Sequence, residues 1–189
     1  MSRSYRISVR ECVNRVIKAE DCISTELEIL EVLPPEQMAG LLADELEKGG
    51  YRREGNLLVK EEDGVVVSVD STTGKVTISA QAVETTKVEG ERHGRAYDDI
   101  GPHAGQVREN LRQELQRELE KKVEEKASSL QSKVTDRLEG KLGDLKTELD
   151  QVVNRVTAEA LKRKAASMGQ IKEMTEDPES GSLTIVVEV

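Results

Sequence analysis

From about His103 to Met168 the chain reads as helix throughout. This stretch has no proline. Its apolar residues recur three or four positions apart: Val107, Leu111, Leu115, Leu119, Val123, Ala127, Leu130, Val134, Leu138, Leu142, Leu145, Leu149, Val152, Val156 and Ala160. Such spacing puts roughly one residue per turn on one side of a helix. Nearly everything between is Glu, Lys, Arg, Gln, Asp or Ser. From Val107 to Ala127 every step is four residues. Each step overshoots a 3.6-residue turn by about 40°, so the stripe winds around the helix instead of keeping the seven-residue repeat of a strict coiled coil. A stripe this thin covers little surface. The segment is therefore expected to be solvated or to wait for a partner, with Val107, Leu111, Leu115, Leu119, Val123, Leu130 and Val134 as the partner-binding positions.

Before this rod the pattern changes to alternation. In residues 4–17, Tyr5, Ile7, Val9, Val13 and Ile17 share one parity and Arg6, Ser8, Arg10 and Asn14 the other, which predicts a half-buried strand. Residues 19–21 read as a turn and residues 22–33 as a second strand, with Cys22 a small core residue. Pro34-Pro35 opens a helix with Met38, Leu41, Leu42, Ala43 and Leu46 on one stripe, and Gly49-Gly50 stops it. Strands follow from residue 56, at 65–69 and from 75 to about 87, separated by turns at 61–64 and 71–74. Residues 93–105 read as a loop or linker. After the rod, residues 169–189 form a β-hairpin. A lone hairpin is marginal in water, so it is expected to return to the first sheet.

Two turns share wording. Asp70-Ser-Thr-Thr-Gly74 matches Asp177-Pro-Glu-Ser-Gly181. In such a loop the Asp side chain caps its own backbone and the Gly takes the left-handed position. The acidic ligands of a helix-flanked calcium loop are missing.

Gly140 and Gly143 interrupt the rod, each costing roughly 1 kcal/mol against Ala inside a helix. Two architectures follow. Two antiparallel helices joined near Gly140–Gly143 would bring the hairpin back to the sheet. One straight helix would run about 95–100 Å. The orphan hairpin favours the first, the unbroken stripe the second. The expected fold is α+β: an antiparallel sheet from both chain ends with one packed helix, plus a long helical arm, taken as a helical hairpin, inserted before the C-terminal β-hairpin. The segments are residues 1–92, a linker at 93–105, the arm at 106–168 and the hairpin at 169–189.

Composition narrows the function. The chain has 189 residues, no Phe, no Trp and three tyrosines, so its core is built of Val, Ile and Leu. Net charge is −9, yet residues 103–168 carry 14 Lys and Arg against 12 Asp and Glu, so the acidity lies in the β-rich parts. This balance argues against nucleic acid. No apolar run approaches the ~20 residues of a membrane span, the rod lacks interfacial aromatics, and the N-terminus lacks a signal-peptide core. Cys12 and Cys22 make no disulfide framework. A cytoplasmic location is expected.

Catalytic chemistry is nearly absent. His93 and His103 are the only histidines. With Asp98-Asp99 they form a conceivable metal set, but the spacing matches no ligand pattern. Cys12 lies on the polar parity of its strand with no base nearby, so it is not read as a nucleophile. No phosphate loop and no Gly-x-Ser-x-Gly occur. No catalytic residue, cofactor or metal is assigned.

The stretch Val65-Val-Val-Ser-Val-Asp-Ser-Thr-Thr-Gly-Lys-Val-Thr-Ile78, the segment Gly169-Gln-Ile-Lys-Glu-Met174 and the closing Gly181-Ser-Leu-Thr-Ile-Val-Val-Glu-Val189 resemble a family of small bacterial accessory proteins. These are encoded beside FtsH-type or MoxR-type AAA+ ATPases in ternary, conflict-type systems. The resemblance covers the two β-rich parts and brings no catalytic residues. It implies an adaptor or substrate-handling subunit for an ATPase, with the rod as an insertion. The expectation is a non-enzymatic adaptor acting through protein–protein contact, possible partners being an AAA+ ATPase or, alternatively, further copies in a homo-oligomer assembled through the arm. A metal-dependent enzyme using His93 and His103 is the third reading.

Overall fold

No glycine or proline occurs before Pro34, so nothing in the first thirty-three residues can reverse the chain cheaply. In the computed structural model, which describes residues 4–97, 102–177 and 182–188, this stretch forms one 23-residue strand, β1 (Ser4–Glu26). The expected turn at residues 19–21 is absent. Ala19 keeps the inward parity of Val9 and Ile17 and is buried with them. Cys22, expected in the core, takes the outward parity and is exposed.

The remaining elements are α1 (Pro35–Lys48), β2 (Arg52–Glu54), β3 (Leu57–Glu62), β4 (Val65–Asp70), β5 (Lys75–Tyr97), α2 (Ala104–Met168), β6 (Gln170–Asp177) and β7 (Ser182–Glu188). β1 to β5 make one antiparallel sheet in the order β1-β5-β4-β3-β2. β6 and β7 form a separate two-stranded sheet, so the C-terminal hairpin does not return to the first one. β5 runs on through residues 93–97, which shortens the expected linker from its N-terminal side. The chain divides into two units, residues 1–20 with 81–134 and residues 21–80 with 135–189. β1, β5 and α2 contribute to both.

In the second unit the meander β2–β5 is pinned by its turns. Asp70 Oδ1 accepts from the N–H groups of Thr72 (2.8 Å) and Thr73 (3.3 Å), and Gly74 closes the turn at φ +69°. These hydrogen bonds hold the Asp70 carboxyl below the usual carboxylate range. The matching Asp177 turn runs through residues 178–181, which lie outside the described residues. β4 alternates with Val65, Val67 and Val69 buried. α1 buries Met38, Leu41, Leu42, Ala43 and Leu46.

The second part of α2 packs here through Leu138, Leu145, Leu149, Val152 and Val156, a repeat of three and four. Three charged anchors accompany it at intervals of seven. Lys141 bonds Asp63 (2.7 Å) and Glu62 (3.2 Å) at the β3–β4 turn. Glu148 takes Lys60 of β3 (2.9 Å), whose ammonium also sits 5.3 Å over the ring of buried Tyr51. Arg155 reaches Glu45 of α1 (3.0 Å).

These contacts explain why α2 is one continuous 65-residue helix and not a helical hairpin. Leu138 and Leu145 are buried on either side of the two glycines, and Lys141 is fastened between them. Tertiary packing thus outweighs roughly 2 kcal/mol of poor propensity. A Cβ on Gly140 or Gly143 would meet nothing within 4 Å. Gly140→Ala and Gly143→Ala are therefore each expected to stabilise the protein, by about 0.5–1 kcal/mol, read as a higher urea midpoint with unchanged m-value. A lower midpoint for either would contradict this account.

Candidate interaction surface

The first unit is a two-stranded ribbon, β1 against β5, carrying the first part of α2. Its geometry turns on two glycines of β5. A Cβ on Gly90 would lie 2.6 Å from Leu115 Cδ1 and 3.2 Å from Leu119 Cδ2. One on Gly94 would lie 2.8 Å from Leu111 Cδ1 and 3.2 Å from Val107 Cγ1. The leucines sink to the backbone because nothing projects from it. The spacing is matched: four strand residues rise about 13 Å and eight helix residues about 12 Å. Lys126 Nζ, 3.2 Å from buried Thr86 Oγ1, marks the next interval. Steps of four along α2 therefore keep pace with alternate residues of the strand.

The partner-binding positions expected from sequence sit as follows. Leu115 and Leu119 are buried in one cluster with Val9 and Val88, against which Ile7, Val13, Leu111 and Val123 pack. Val107 is half-buried against Gly94. Leu130 and Val134 are buried. The stripe thus finds its partner within the chain. What the sequence did not flag was Gly90 and Gly94: two glycines in register on the inward parity of a strand were the signal that something lies close above.

Charge pairs frame this seam. Arg112 bonds Glu11 (2.6 Å), and Gln131 donates to the Glu20 carbonyl (3.1 Å). Arg92 reaches Glu118 (2.8 Å), which also accepts from Lys122 (2.9 Å). Lys122 and Arg92 hold the Glu118 carboxyl down at about 2. On the open face of the ribbon, Arg10 and Ser8 do the same to Glu91, also to about 2.

The least covered apolar surface lies on the C-terminal hairpin. Ile171 stands opposite Val187, and Met174 opposite Ile185. Directly opposed residues share a face, and Leu183 joins it by period two. None of residues 170–175 or 183–188 is buried, and Met174 is 49 % exposed. Residues 170–188 carry Lys172 against Glu173, Glu176, Asp177, Glu179 and Glu188, a net −4.

The candidate chemical residues stay apart. His93 is on β5, its Nε2 3.7 Å from Glu91. The His103 carbonyl accepts from the Gln106 and Val107 N–H groups at the start of α2. Asp98 and Asp99 lie outside the described residues. Among the described residues no group of three or more His, Cys, Asp or Glu is placed to hold a metal ion, and no helix is long and apolar enough to cross a membrane.

Two outcomes follow. Gly90→Val should cost about 1–3 kcal/mol by overpacking, and Leu115→Ala in the same chain should recover part of that loss in a double-mutant cycle; additive losses would refute the close approach. Glu91 and Glu118 have folded values near 2, against 4.5 ordinarily. A depressed carboxylate contributes stability that is present above pH 4.5 and lost as pH falls through about 2. Urea midpoints should fall across that window, and Glu118→Gln should flatten the fall.

A model of the family described as FtsH ternary system domain X5 matches residues 1–189. No curated protein and no solved structure matches the chain. With the family model spanning every element from β1 to β7, the chain belongs to the FtsH ternary system domain X5 family.

Proposed function

We propose that this protein is a non-enzymatic accessory subunit, an adaptor that works by protein–protein contact with the AAA+ ATPase of an FtsH ternary system. Membership of the family across the full chain carries this reading. The scattered positions of His93, His103, Cys12 and Cys22 are in keeping with it.

The contact surface follows from what the fold leaves open. The α2 stripe is occupied by the chain's own ribbon. The hairpin face of Ile171, Met174, Leu183, Ile185 and Val187 has no buried member. It lies on a net −4 segment, so the complementary patch on the ATPase is basic and apolar. Assembly of a homo-oligomer through the arm has less support, because its large apolar residues are already packed.

The test is capture of the intact protein from its native cell extract, followed by mass spectrometry. Stoichiometric recovery of an AAA+ ATPase supports the reading; recovery of the chain alone overturns it. Ile185→Glu in the full chain should abolish that capture and leave the melting temperature within about 2 °C, since the residue is only half-buried. Removing residues 106–168, by contrast, should unfold the chain.

A further inference from the structure

Independently of the adaptor reading, one strand carries a second surface. β1 ends the strand order of its sheet, so among the described residues one of its backbone edges is unpaired over all 23 positions. Proteins usually blunt such edges with proline, bulges, short strands or interspersed charges, because a long free edge is a template for another strand. β1 has no proline and no glycine. It has charges, but they are segregated. Arg6, Arg10, Arg15 and Lys18 against Glu11 leave residues 4–18 at +3. Glu20, Asp21 and Glu26 leave residues 19–26 at −3.

We infer that β1 is a self-recognition strand: two copies of this chain pair β1 edge to edge, antiparallel, about a two-fold axis near Arg15 and Val16. An antiparallel pair of identical strands is isologous, so each copy's basic segment meets the other's acidic one. With Arg15 on the axis, Arg10 stands opposite Glu20 of the second copy and Arg6 lies one diagonal from Glu26. With Val16 on the axis the two relations exchange. Parallel pairing would instead set like charges side by side, which is destabilising. The same segregation therefore selects this partner and rejects others. Val16 is 61 % exposed at the centre of the strand. The face bearing Val9 and Val13 is covered by α2, so pairing uses the edge and leaves the packed seam intact.

The experiment measures solution mass by sedimentation for the full chain and two charge-reversed forms. Arg6→Glu with Arg10→Glu makes both segments acidic; Glu20→Arg with Glu26→Arg makes both basic. The unmodified chain is expected at twice its 20.9 kDa mass, with a dissociation constant rising about tenfold between 0.05 and 0.5 M NaCl. Each reversed form alone should be monomeric, and an equimolar mixture of the two should recover the dimer, which also shows that both fold. A monomeric unmodified chain at 100 µM overturns the inference, whatever the ATPase capture yields. So do reversed forms that still self-associate, and so does a mixture that stays monomeric.

Discussion

The fold depends on a close approach between a helix and a strand that carries glycine where the helix bears leucine. At Gly90 and Gly94 of β5 the ribbon surface is bare backbone, and Leu111, Leu115 and Leu119 of α2 descend onto it. A stripe of roughly one apolar residue per turn would be too thin to hold a helix against an ordinary side-chain layer. Here it suffices, because each leucine packs against main chain and against Val9 or Val88 at full contact. The absence of Phe and Trp is consistent with this: a seam this shallow has no room for a large ring.

The same helix uses two periods because it meets two kinds of surface. Over the two-stranded ribbon its apolar residues step by four, in time with alternate strand residues. Over the meander and α1 they step by three and four, and Lys141, Glu148 and Arg155 follow at sevens. Each of these charges meets an acidic or basic partner on a neighbouring element of that unit. Exposed pairs of this kind contribute little stability singly. Their larger effect is to set the register in which the apolar stripe docks.

Functionally, the chain spends its large apolar residues on its own packing and leaves two surfaces open, the apolar face of the hairpin and the free edge of β1. They differ in chemistry. The hairpin is acidic throughout, so it selects a basic partner; β1 is divided in sign, so it is complementary to itself. An accessory protein of an FtsH ternary system that met both needs would hold a partner at one surface and a second copy at the other.

Sequence alone determined the α+β class, α1 with its buried stripe, the β3–β5 meander and its Asp70–Gly74 turn, and the helical character of residues 104–168. These are local properties: periodicity, proline and glycine punctuation, and side-chain capping act within a few residues. The wording of the β-rich parts also pointed to the family. Tertiary structure decided the rest. Whether Gly140 and Gly143 break a helix depends on what flanks them, and Leu138 and Leu145 are buried. Whether Ala19-Glu20-Asp21 turns depends on a pairing strand, and β5 extends far enough to keep β1 straight through it. Whether a thin stripe awaits a partner depends on a surface more than ten residues away in the chain. Gly90 and Gly94 supplied it, and their role is visible only once Leu111 and Leu115 lie above them.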